Sequence, residues 1–136
     1  MLDKNYKILD ETVHLLLGHV FENVYLTKKV SGENIKLGDI YGNPTCRLIS
    51  RTNIWCVVGG STLIVWADND ILTIKEDNLY SVHDIRQKGQ YIVELLIDPW
   101  SANASIWEFN IMTKHKNKIK DFWVYKDKPY SENIVW

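Results

Sequence analysis

The chain is poor in cysteine and proline, has no long apolar run, and carries almost no net charge. Two cysteines among 136 residues exclude a disulfide-stapled scaffold. None is needed, because a chain of this length buries roughly two-thirds of its unfolded surface in a single core. Cys46 and Cys56 could pair if their strands are adjacent, but free, buried thiols in a reducing compartment are the expectation. No segment approaches the roughly eighteen apolar residues that a membrane span needs. The opening MLDKNYKILDE sets acids among its apolar positions and has no small-residue cleavage site, unlike a signal peptide. These features predict a cytoplasmic protein with no membrane partner. A formal charge of −1 gives no overall field that would draw the chain to nucleic acid.

Catalytic and cofactor motifs are also missing. There is no Gly-x-Ser-x-Gly elbow, and neither cysteine sits in a nucleophile context. Gly59-Gly60-Ser61-Thr62 lacks the Gly-Lys-Ser/Thr ending and the following helix of a phosphate cradle, so it reads as a hairpin turn. Asp68-Asn69-Asp70 starts like a calcium loop but lacks the glycine and the downstream glutamate; it too reads as a turn. His14 and His19 lie five apart, which does not place them on one helix face, and no histidine neighbours a cysteine. Nothing marks out two carboxylates as an acid/base pair. No catalytic residue, metal ligand or cofactor is nominated, which weighs against an enzyme.

What the chain does have is β-pattern and aromatics. In Asn53–Lys75 the apolar runs Ile54–Val58, Leu63–Trp66 and Ile71–Ile74 are separated by Gly59-Gly60 and Asp68-Asn69-Asp70. Val, Ile, Thr and Trp suit a pleated, half-buried surface, so a three-stranded meander is expected here, with the rest of the chain packing on it. Gln90–Asp98 alternates cleanly, with Tyr91, Val93, Leu95 and Ile97 on one face. Ala104–Thr113 and Ile119–Lys126 form a hairpin, and Phe122–Tyr125 is apolar on both faces. Such a strand is covered either within the monomer or by a second copy, so a homodimer is one expected arrangement. Leu2, Tyr6, Leu9, Val13, Leu16 and Leu17 follow a three-and-four spacing that favours an N-terminal helix ending near Gly18, although Thr12–Leu17 reads alternatively as a strand; His19–Val30 reads as one strand. The expected architecture is mainly β: a single domain over residues 1–136. It would be an antiparallel β-sandwich, small barrel or curved sheet of about seven to nine strands, with at most that one helix. Leu63–Asp68 and Ser105–Glu108 resemble the strand-ending Trp–acid dipeptides of propeller blades. A chain of this length holds only about three such blades, too few to close a propeller of four or more, and the likeness is set aside.

Charge is segregated along the chain. Asp68–Asp98 carries seven acids against three bases, and Pro99–Lys128 carries six bases against three acids. Lys114, Lys116, Lys118 and Lys120 beside Trp123 and Tyr125 could in principle hold a single strand of nucleic acid. Thirteen of the sixteen basic residues are lysine rather than arginine, and lysines at a hairpin edge discourage aggregation, so nucleic acid is not the expected partner. The acidic stretch suits a basic protein surface. The expected function is a non-enzymatic, intracellular protein-binding domain. Its most concrete form is a small inhibitor, such as a bacterial immunity protein that neutralises a basic toxin. The partner surface would comprise Trp66, Asp68, Asp70, Glu76, Asp77, Tyr80 and Asp84. The alternatives are a small-ligand-binding barrel or sandwich with an aromatic-lined pocket, and a hydrolase with dispersed carboxylates or histidines.

Overall fold

The computed structural model describes residues 3–136. Among them it contains twelve strands and no α-helix. The strands form three separate antiparallel sheets of four, each built from consecutive strands. The N-terminal sheet comprises β1 (Tyr6–Glu11), β2 (Leu15–Val20), β3 (Asn23–Lys28) and β4 (Glu33–Asp39). The central sheet comprises β5 (Cys46–Ile49), β6 (Trp55–Gly59), β7 (Leu63–Ala67) and β8 (Asp70–Ile74). The C-terminal sheet comprises β9 (Val82–Gln87), β10 (Ile92–Ile97), β11 (Ser105–Asn110) and β12 (Lys116–Asp121). A single 3-10 turn, Asp77–Leu79, precedes β9.

The central meander is the organising layer. Every residue of β6 and β7 is buried, as expected of strands covered on both faces. One face presents Cys56, Val58, Ile64 and Trp66 to Leu15, Leu17, Val24 and Leu26 of the N-terminal sheet. The other presents Trp55, Val57, Leu63 and Val65 to Val93, Leu95, Phe109 and Ile111 of the C-terminal sheet. The alternation in β10 puts Val93, Leu95 and Ile97 into this second junction. The outer face of the C-terminal sheet is covered by residues 122–136. Phe122, Tyr125, Ile134 and Trp136 of this segment lie over Leu96 and Ile106.

The first strands of the three sheets run side by side. Arg47 Nε of β5 donates to the Leu9 carbonyl of β1 at 2.7 Å. Thr45 Oγ1, just before β5, donates to the Val82 carbonyl of β9 at 3.0 Å, and the Val82 amide donates to the Gly60 carbonyl at 2.8 Å. Four-stranded meanders set around their first strands are the construction of propeller blades.

Several expectations are corrected. There are twelve strands rather than seven to nine, arranged in three sheets and not one sandwich or closed barrel. Among the described residues the N-terminal helix is absent. Tyr6 and Leu9 lie in β1, Leu16 and Leu17 lie in β2, and Leu2 lies outside the described residues. Thr12 makes the turn between them, its Oγ1 accepting the Leu15 amide at 3.0 Å, so the three-and-four spacing arises from two strands and a bend. His19–Val30 is not one strand, because Phe21 (φ 51°) turns the chain. The Phe122–Tyr125 stretch is not a strand, since β12 ends at Asp121; its apolar side chains belong to the covering segment. Gly59-Gly60-Ser61-Thr62 does join β6 to β7 as a hairpin, but neither glycine supplies a turn angle, since neither is among the positive-φ residues. A Cβ on Gly59 would lie 2.7 Å from Cys46 Sγ and 3.0 Å from Val82 Cβ. Glycine is therefore required there by the close approach of β5, β6 and β9. Asp68 (φ 49°) and Asn69 (φ 63°) do form a tight hairpin turn, of the primed kind that joins twisted strands.

Candidate functional site

In an up-and-down meander, alternate connections fall at the same end. The β2–β3, β4–β5, β6–β7 and β8–β9 connections therefore gather at one end of the stack. Between the N-terminal and central sheets they enclose an open cleft of about 450 Å³. Four carboxylates line it (Glu22, Asp39, Glu76 and Asp77), against one lysine, Lys75. Tyr41 and Tyr80 also line it and are 80% and 60% exposed.

Local bonding builds this geometry. The Ile40 amide donates to the Glu22 carbonyl at 2.9 Å, and the Gly42 amide donates to Glu22 Oε2 at 2.7 Å. These two bonds tie the β4–β5 loop to the β2–β3 turn. Ser61 Oγ donates to the Tyr41 carbonyl at 2.9 Å, fixing the same loop to the central sheet. Asp77 opens the 3-10 turn, and the Tyr80 amide donates back to its carbonyl at 3.3 Å. Asp39 pairs with Lys36 at 3.3 Å, and Glu76 pairs with Lys116 of β12 at 2.6 Å. Such exposed pairs contribute only about 0–1 kcal/mol, so an incoming cation competes with them at little cost. Thr62 Oγ1, on the cleft wall, is buried and has no hydrogen-bond partner.

A second recess of about 450 Å³ opens at the opposite end, beneath the Asp68-Asn69 turn. Ile54 and Met112 are its exposed rim, with Trp66 and Tyr91 behind them. Lys28 lies 5.7 Å from the Trp66 ring centroid and donates to Asn69 Oδ1 at 3.1 Å.

The structure divides the surface expected from sequence. Glu76, Asp77 and Tyr80 come together in the acidic cleft. Asp68 and Trp66 line the recess at the other end, and Asp70 starts β8 beside them. Trp66 is only 6% exposed and packs in the N-terminal–central junction, which leaves little of it for a partner. Asp84 lies on the outer face of the C-terminal sheet, where its Oδ2 accepts the Trp136 indole N–H at 3.0 Å. Glu22, Asp39 and Tyr41 were missed. The turn signal Tyr41-Gly42-Asn43-Pro44 was visible, but which end of the molecule it occupies follows only from the number of strands before it.

Among the described residues no group of three or more His, Cys, Asp or Glu is placed to hold a metal ion, and no helix is long and apolar enough to cross a membrane. His19 Nδ1 lies 2.7 Å from the Phe21 carbonyl, and His83 packs edge-on to Trp100 at 5.1 Å. Cys46 and Cys56 are free and buried, one in each inter-sheet core. Burial pushes both thiols up to about 12. Unreactive thiols are the result.

No protein-family model and no curated protein matches this chain. Its fold is similar to that of a designed protein. The crystal structure of the computationally designed Ika8 protein superposes with a TM-score of 0.61 at 15% identity, over 82% of this chain. The chain spans 35% of the designed protein's length. At this identity the likeness concerns the fold alone.

Proposed function

We propose that the chain is a non-enzymatic binding module whose acidic cleft receives a cationic segment of a protein partner. The observation that supports this reading is the cleft itself: four carboxylates against one lysine, flanked by two exposed tyrosines. Carboxylates attract an arginine or lysine side chain, and a tyrosine face adds a cation–π contact worth about 0.5–1 kcal/mol at an exposed site. Tyrosine supplies contact area at low conformational cost, which is why it is enriched at binding hot spots. A toxin-neutralising inhibitor acting on a basic partner is one form of such a module.

The test uses a fluorescein-labelled octa-arginine peptide followed by anisotropy at low and moderate salt. The combined substitution Glu22→Gln, Glu76→Gln and Asp77→Asn is expected to weaken binding at least tenfold and to flatten its salt dependence. Asp68→Asn with Asp70→Asn, at the other end, is expected to leave both unchanged. Equal loss in the two variants would mean non-specific charge attraction and would remove the cleft from consideration. Capture from lysate of the source organism at two salt concentrations then names the partner.

A second reading is favoured by the recess at the opposite end. Its volume lies within the usual range for small-ligand sites, and its rim is apolar with a few polar groups. Quenching of Trp66 fluorescence by an apolar or sugar ligand, lost in Met112→Asp, would support it.

A further inference from the structure

While the first strands of the three sheets run side by side, the fourth strands, β4, β8 and β12, form the far edges. A free edge presents unpaired main-chain N–H and C=O groups, which take on a further strand unless charge, a bulge or proline prevents it. Two of these three edges carry such defences. β4 has Glu33, Lys36 and Asp39, and its register with β3 shifts beside Tyr25. β12 has Lys116, Lys118 and Lys120, and its register with β11 shifts beside Trp107. β8 has neither defence: Ile71-Leu72-Thr73-Ile74 is uncharged and pairs with β7 without a break.

The turn before β8 fixes where its free groups point. The two-residue Asp68-Asn69 turn closes on Ala67 and Asp70, a pair that exchanges both main-chain bonds. Alternation then turns Leu72 and Ile74 into the ladder with β7 and aims the N–H and C=O of Ile71 and Thr73 outward. No loop or neighbouring sheet supplies these four groups with a main-chain partner among the described residues. Beside the edge runs an open groove of about 520 Å³. Leu72 and Ile74 form its apolar side and pack on the core beneath. Its rim sets Lys75, Lys114 and Lys116 against one carboxylate, Glu76, which is already paired with Lys116. Two positive charges are left over.

We propose that β8 receives an extended, acid-bearing segment of a partner protein, which joins the central sheet as a fifth strand. Main-chain bonds to Ile71 and Thr73 hold such a segment, and the groove selects its side chains. Apolar residues at alternate positions lie over Leu72 and Ile74, and a carboxylate meets Lys75 and Lys114. Charge argues against a second copy as the occupant. Antiparallel pairing of two β8 edges sets β12 of one copy beside β12 of the other, and each carries three lysines. The edge is a site separate from the acidic cleft, although Lys75 and Glu76 border both.

The probe is a fluorescein-labelled peptide, Ser-Glu-Val-Thr-Val-Thr-Ser, followed by anisotropy. In antiparallel register its glutamate meets Lys75, its valines lie over Ile74 and Leu72, and its threonines face Thr73 and Ile71. Saturable binding below about 1 mM is expected. N-methylation of both threonines, which removes the amides aimed at the edge, is expected to weaken it at least tenfold. N-methylation of both valines, whose amides point to solvent, is expected to leave it nearly unchanged. Replacing the peptide's glutamate by lysine is expected to weaken binding, and Lys75→Glu with Lys114→Glu in the protein to reverse that preference. Thr73→Pro removes an outward donor while sparing the ladder with β7, and is expected to abolish binding with unchanged circular dichroism. Hydrogen exchange at the Ile71 and Thr73 amides is expected to slow on binding. No saturation up to about 1 mM overturns the proposal. So does equal loss with the two N-methylated peptides, or binding that leaves exchange at Ile71 and Thr73 unchanged. A dimer in sedimentation velocity that Thr73→Pro dissolves would give the edge to a second copy and overturn it too.

Discussion

Replacing Trp136 by alanine tests whether the terminal segment is structural. The indole N–H donates to Asp84 Oδ2 at 3.0 Å, the Arg86 guanidinium carbon sits 3.9 Å from the ring centroid, and the Trp136 carbonyl accepts from Arg86. The ring also packs against the small core of Leu96, Ile106 and Phe122. A tryptophan buries about 150–250 Å²; with roughly two-thirds of that removed from water, the apolar gain at about 25 cal/mol/Å² is roughly 3–4 kcal/mol. The bond to a charged acceptor adds about 1.5 kcal/mol or more. Ordering the segment opposes these gains, at about 1–2 kcal/mol of backbone entropy per residue fixed. The loss cannot exceed the free energy with which the segment docks, because beyond that it simply detaches. We expect Trp136→Ala to cost about 2–3 kcal/mol; with an unfolding entropy of about 2.1 cal/mol/K per residue, that lowers Tm by roughly 7–10 °C. Trp136→Phe retains most of the packing and loses the hydrogen bond, so it should fall between wild type and alanine. Thermal unfolding by circular dichroism reads both, and hydrogen exchange at Leu96 and Ile106 reports whether the sheet beneath becomes accessible. A Tm within about 2 °C of wild type, with protection unchanged at those residues, would refute the docking argument.

Gly59→Ala is expected to cost about 1–3 kcal/mol in urea unfolding, because the added methyl meets Cys46 Sγ and Val82 Cβ, neither of which can swing aside; a neutral result would mean that β5, β6 and β9 are not so closely set. The two thiols make stability depend on alkaline pH. Both are raised from 9.0 to about 12 in the native state, so below pH 9 their full contribution is present. Between 9 and 12 the unfolded chain holds fewer thiol protons than the native one, and stability falls by at most roughly 1.4 kcal/mol per pH unit for each thiol. The slope should flatten in Cys46→Ala with Cys56→Ala; parallel curves for the two proteins, measured by urea unfolding, would contradict buried thiols.

The central sheet was legible because burial on both faces writes itself into sequence as continuous apolar runs, as in Trp55–Gly59 and Leu63–Ala67. β10 was legible because one face is core and the other carries Glu94. The N-terminal sheet was not. Its turns at Thr12 and Phe21 use no glycine or proline, and Phe21 adopts a left-handed backbone that its side chain does not announce. Two short strands then imitate the spacing of one helix. The strand count suffered from the same missing punctuation. Without the count, the ends at which connections emerge stayed unknown, so acids from both ends and one outer face were grouped as one surface. Glu76, Asp77 and Tyr80 fell together because they are neighbours in sequence; Glu22, Asp39 and Tyr41 joined them only through the meander's alternation.

Because each sheet is a contiguous stretch of chain that touches only its neighbours in the stack, no strand waits for a distant one. Folding reduces to closing hairpins of a few residues and then stacking finished layers. Loop-closure entropy is the usual reason that all-β proteins fold slowly, and this topology avoids most of it. The chain should reach its native state faster than a sandwich of equal strand content, with the central layer docking first on whichever neighbour is formed.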